Sequence, residues 1–108
     1  MCKERIESRY EIRVIKTITD PKMGRLSFFE GGCDIPFDIK RVYYISGVPD
    51  GGRRGYHAHK TLRQFLFCPN GKVEITLDDG KERRRIVLDA PQKGLLIEPG
   101  LWREMRWF

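Results

Sequence analysis

Short runs of alternating apolar and polar residues, cut by glycine and proline, set the strongest limit on how this chain can fold. "YEIRVIKTI" (Tyr10–Ile18) alternates and is rich in β-branched residues, so it reads as one half-buried strand. "IKRVYYI" (Ile39–Ile45) reads as another. "LRQFLFC" (Leu62–Cys68), "KVEITL" (Lys72–Leu77) and "ERRRIVL" (Glu82–Leu88) follow, separated by the turns "PNG" and "DDG"; the second of these marks a hairpin. "KGLLIEPG" and "LWREMRWF" add two short strands around a Pro-Gly corner. No segment carries an apolar stripe at helical period. Strands spaced roughly 8–12 residues apart therefore predict an all-β sandwich or small barrel.

At 108 residues the chain reads as one domain spanning 1–108. Hydrophobic residues make up 40% and charged residues 33%, a globular rather than a disordered balance. No apolar run approaches the ~20 residues of a membrane span. The opening "MCKERIESRY" is charged from its third residue and has no apolar stretch of the secretory type. Cys2, Cys33 and Cys68 are odd in number and lack metal-knuckle spacing, which predicts no disulfide framework and a cytoplasmic setting. The net charge of +6 owes part to "KERRRIVL" and "WREMRW". A basic run of this kind on an exposed hairpin is first of all a solvated face. Where it is functional, it favours an anionic ligand such as a phosphate ester. No nucleic-acid recognition motif accompanies it, so neither nucleic acid nor membrane is expected as a partner.

"RRGYHAHK" (Arg53–Lys60) contains the chain's two histidines. In a strand, His57 and His59 share a face, which suits either metal ligation or proton transfer. The plain alternative is a structural pair held by hydrogen bonds. Metal-binding cupins carry H-x-H, then a Glu and a Gly, then a third His after a Pro-Gly corner. The frame persists here as His57, His59, Gln64, Gly71 and Pro99-Gly100. The Glu position, however, is Gln64, and Arg103 stands near the corner. A neutral amide is a poor ligand and a fixed cation repels a divalent ion, so no metal is expected. Imidazole titrates near ~6.5 and can take and return a proton at neutral pH.

"DIPFDIKRVYYI", "RGYHAHK", "FLFCPNGKVEITLDDG" and "LDAPQKGLLIEPGLWREM" together resemble the sugar 3,4-ketoisomerases of the cupin superfamily. The resemblance runs from about Ile12 to the chain end, where the family pattern continues into a further strand and tail. It implies a cupin-type jelly-roll antiparallel β-barrel and an isomerase that moves the carbonyl of a dTDP-linked 4-keto-6-deoxyhexose from C4 to C3. It also implies no cofactor, and a homodimer that exchanges N-terminal strands. His57 and His59 carry over as the proton-transferring pair. Arg41, Tyr43 and Arg54 match positions lining or flanking the substrate site, and Arg103 a position held by His or Arg. Tyr44, Lys60 and Gln64 join them as substrate-binding candidates; alternation allows only one of Tyr43 and Tyr44 inside. Two other functions stay open: a metal-dependent cupin enzyme, and a catalytically silent nucleotide-sugar-binding module.

Overall fold

The computed structural model describes residues 9–108. Nine strands run through them: β1 (Tyr10–Val14), β2 (Lys16–Asp20), β3 (Gly24–Phe28), β4 (Arg53–Ala58), β5 (Gln64–Phe67), β6 (Val73–Asp78), β7 (Arg83–Leu88), β8 (Lys93–Ile97) and β9 (Trp102–Trp107). Every pairing between them is antiparallel, and none of the described residues is helical. One sheet has the order β1-β8-β5 and a second β4-β9-β6-β7; β2 and β3 form a separate hairpin.

Alternation along the central strands builds the core. Val73, Ile75 and Leu77 of β6 point inward with Ile86 and Leu88 of β7, against Leu95 and Ile97 of β8. Leu95 and Ile97 are fully buried, as is Ile75. Burial of this kind contributes on the order of 1.5–3 kcal/mol per large aliphatic side chain, so the interface between the two sheets dominates the fold's stability. From β4 the chain passes to the other sheet for β5, returns for β6 and β7, crosses for β8 and returns for β9. That path is the jelly-roll expected from the sequence. The two sheets close over the core through side chains rather than through one continuous ladder.

The outer face of the β1-β8-β5 sheet is also covered. Phe29 packs edge-on against Phe65 and Phe67, with ring centroids 5.0 and 5.4 Å apart. Arg63 grips Glu98 through two hydrogen bonds of 2.7 and 2.8 Å, and its remaining Nη1 donates to the carbonyl of Pro36. This bidentate clamp ties the segment around Pro36 to the start of β5 and the end of β8.

Four details depart from expectation. Residues 10–18 form two strands, not one, because buried Ile15 breaks the ladder and donates its N–H to the Gln92 carbonyl at 2.6 Å. Gly24–Phe28, not foreseen as a strand, pairs with β2 across a turn in which Asp20 accepts from the backbone N–H of Lys22 and Met23. Residues 39–45 form no strand; Val42 and Tyr44 are exposed there, and no neighbouring strand within the described residues receives them. Cys33 is disulfide-bonded, against the expectation of none, while Cys68 is a free, buried thiol. Cys2, and the charged start read as unlike a signal, lie outside the described residues. No helix among the described residues is long and apolar enough to cross a membrane.

Candidate active site

The site is built where β4 meets β9, and a one-residue bulge shapes it. Arg54 pairs with Met105 and Gly55 with Glu104, but the next pair is His57 with Arg103. Tyr56 is the extra residue. Strict alternation would turn Arg54 and His57 to opposite faces, since they are three apart. The bulge resets the count, so both face inward, as Arg103 and Met105 do on β9. Tyr56 faces outward and meets Trp102 edge-on, with centroids 6.4 Å apart.

Backbone conformation makes the bulge possible. Gly55 has φ +96° and Tyr56 φ +62°, the one positive φ at a non-glycine residue among those described. A Cβ on Gly55 would lie 2.9 Å from the Arg103 carbonyl oxygen, so the position admits only glycine without a shift. An L-residue in the left-handed region costs about 1–2 kcal/mol, which the surrounding ladder has to offset at Tyr56. The bulge was not foreseen from the sequence; Gly55, two residues before His57, was its one visible signal.

His57 and His59 converge as expected. Their Nε2 atoms lie 3.2 Å apart and their rings are nearly perpendicular. One nitrogen must donate and the other accept, so the pair holds a single proton between its facing atoms. Burial, then the charge of Arg103, then His57 pull the pKa of His59 below its ordinary 6.5. His59 is thus biased toward the neutral form.

Arg103 is 1% exposed, the one charged side chain among the fully buried of the described residues. Burial pulls its pKa down, opposed by Tyr43; a guanidinium stays cationic regardless. Its Nη1 donates to Gln64 Oε1, and Gln64 Nε2 donates to the Tyr43 hydroxyl at 3.0 Å. Its Nε and Nη2 have no hydrogen-bond partner among the described residues. Buried N–H donors of this sort favour an anionic or carbonyl oxygen brought to them.

An open cleft of about 370 Å³ lies against this group, lined by Tyr43, Ile45, Arg54, Gly55, His57 and Met105. Of the expected site residues, Tyr43, Arg54 and His57 therefore share one wall, and His59, Gln64 and Arg103 stand directly behind it. Tyr43 rather than Tyr44 lines the cleft, and both rings are largely exposed. Arg41 and Lys60 are exposed and do not line it. Ile45 and Met105 had not been singled out from the sequence.

A divalent metal does not fit this donor set. His57 and His59 supply two nitrogens, Gln64 is already shared between Arg103 and Tyr43, and Arg103 places a buried cation beside them.

The family described as FdtA: WxcM-like, C-terminal, matches residues 8–108. The chain belongs to that family. A TDP-4-oxo-6-deoxy-alpha-D-glucose-3,4-oxoisomerase of Aneurinibacillus thermoaerophilus is 46% identical over 93 residues, which cover 86% of this chain and 66% of the relative. The crystal structure of QdtA, a sugar 3,4-ketoisomerase from Thermoanaerobacterium thermosaccharolyticum in complex with TDP, superposes with a TM-score of 0.86 at 48% identity. That match covers 93% of this chain and 72% of the other. The WlaRB TDP-quinovose 3,4-ketoisomerase of Campylobacter jejuni superposes with a TM-score of 0.87 at 41% identity, covering 95% and 78%. This FdtA-like chain thus shares the all-β fold of the ketoisomerases while spanning about two thirds of the length of the curated relative.

Proposed function

We propose that this chain is a metal-independent isomerase that moves the keto group of a dTDP-4-keto-6-deoxyhexose from C4 to C3. The observation that carries the reading is the His57–His59 pair, 3.2 Å apart, beside a cleft also lined by Tyr43 and Arg54. A histidine-to-asparagine variant of QdtA has been crystallised with TDP-4-keto-6-deoxyglucose, which supports the choice of substrate.

The C3 proton is acidified by the C4 carbonyl, yet it needs a placed base and stabilisation of the enediolate oxygen. His57 lines the cleft and takes that proton. Tyr43 gives its hydroxyl proton to O4, which leaves a neutral enediol. In the second half, C4 receives a proton from the imidazole pair and the O3 hydroxyl proton returns to the Tyr43 oxygen. No heavy-atom bond forms or breaks, and the sugar neither gains nor loses electrons. Arg54 on the cleft wall meets the negative charge of the pyrophosphate, and buried Arg103 supports, through Gln64, the Tyr43 oxygen that is anionic once its proton has moved to O4; exposed Arg41 and Lys60 act from outside the cleft.

The functional unit is a homodimer with exchanged N-terminal strands. Val14, Ile18 and Leu26 on β1 and the β2-β3 hairpin are exposed, as are Val42 and Tyr44, and this apolar surface suits a second copy. Incubation with dTDP-4-keto-6-deoxyglucose in chelator-containing buffer tests the activity: a 3-keto product is expected, and binding without turnover would instead favour a silent nucleotide-sugar-binding module.

A further inference from the structure

Arg103, Gln64 and Tyr43 form a chain that runs outward from buried Arg103 on β9, through half-buried Gln64 on β5 of the other sheet, to exposed Tyr43 on the cleft wall. The direction of its hydrogen bonds is forced by chemistry. A guanidinium has donors and no acceptor, so the face of the Gln64 amide toward Arg103 must be its carbonyl. The NH₂ group then faces Tyr43, and the phenolic oxygen can only accept from it. The one hydroxyl proton of Tyr43 is therefore turned away from Gln64.

We infer that Gln64 is a positioning residue that sets the polarity of this chain and so keeps Tyr43 as a proton donor toward an oxygen bound in the cleft. The inference rests on the isomerase reading, in which that oxygen is O4 of the keto-sugar. Each donor in the series points from the buried cation to the cleft, and such chains polarise cooperatively. An amide is the side chain of this length that accepts at one end and donates at the other. A carboxylate in the same place would accept from both neighbours. It would hold Arg103 at least as well, and it would draw the Tyr43 proton back from the substrate. That contrast separates a polarity role from a packing role, because Gln64→Glu keeps the size and the Arg103 contact while reversing the Tyr43 bond.

The experiment compares wild type, Gln64→Glu, Tyr43→Phe and the double variant with dTDP-4-keto-6-deoxyglucose, in chelator throughout so that the new carboxylate recruits no metal. Gln64→Glu should lose roughly 10²-fold in kcat, within the range of a general acid–base contribution, with KM and dTDP affinity little changed. On the Tyr43→Phe background the same substitution should cost almost nothing further, because its effect passes through the phenol. Full kcat for Gln64→Glu would overturn the inference and leave the isomerase reading intact. An equal loss on both backgrounds would overturn it too, by assigning Gln64 to Arg103 alone. Absence of turnover by the wild type would instead end the isomerase reading, and the inference with it.

Discussion

At His59 the surroundings decide the charge before any substrate arrives. Burial, Arg103 and His57 all disfavour its protonated form, so its folded-state pKa lies below the 6.5 of an unfolded chain. Between those two values the unfolded state binds more protons, and stability rises with pH there. The contribution of neutral His59 is fully present above about pH 6.5 and is lost as pH falls through the folded-state pKa. Asp34, Asp78 and Asp79 have depressed pKa values and act only at lower pH, below the usual carboxylate range. Urea midpoints measured from pH 7.5 down to about pH 5 should therefore fall for the wild type and fall less for His59→Gln. Parallel curves would mean that His59 is not held neutral. The histidines themselves were legible in the sequence because H-x-H in extended backbone shares a face, and the two rings do converge even though β4 ends at Ala58 and His59 lies just past it. The Arg103–Gln64–Tyr43 chain was not, because it joins residues from three separate segments and only the fold brings them together.

Among the elements, β4 shows where reading by period two stops working. Alternation alone separates Arg54 from His57, and the bulge at Tyr56 reunites them. The bulge depends on Gly55, whose missing Cβ leaves room for the Arg103 carbonyl. Gly55→Ala should cost about 1–3 kcal/mol of stability from backbone strain, and its kcat should fall more than its affinity for dTDP, since His57 is re-aimed while the nucleotide contacts remain. A stable, fully active Gly55→Ala variant would show that the bulge does not aim the histidine. β6 was legible because Val73, Ile75 and Leu77 alternate with polar residues against a buried face, and β8 because Leu95–Ile97 is a short apolar run, buried throughout. Residues 39–45 are as rich in β-branched and aromatic residues, yet pair with nothing among the described residues. Alternation reports that a face is apolar; it does not report which strand, or which copy of the chain, covers it.

Across the whole molecule, the two sheets leave free edges and the β2-β3 hairpin carries apolar residues outward. Exposed edges of this kind are usually covered or blunted. Light scattering at micromolar concentration should give twice the mass of one chain. A monomer would instead assign the protection of those edges to charge, including Arg9 and the residues Lys3 and Arg5 that lie outside the described part. An all-β sandwich or barrel follows from turn spacing, and the jelly-roll and the place of its site from the resemblance carried by the H-x-H frame, whereas assembly depends on surfaces that no periodicity in one chain can assign.

The proposed isomerisation requires a histidine pair to move a proton between adjacent carbons of a nucleotide-linked keto-sugar. Incubation of dTDP-4-keto-6-deoxyglucose in D₂O, with wild type and with His57→Asn, tests it most directly, with the product followed by NMR. The wild type should yield the 3-keto isomer with solvent deuterium entering at the carbons that exchange protons. His57→Asn should be slower by roughly 10²–10⁴-fold while still binding the nucleotide sugar. Wild-type rates of isomerisation and exchange in His57→Asn would contradict the claim and return the two histidines to a structural role.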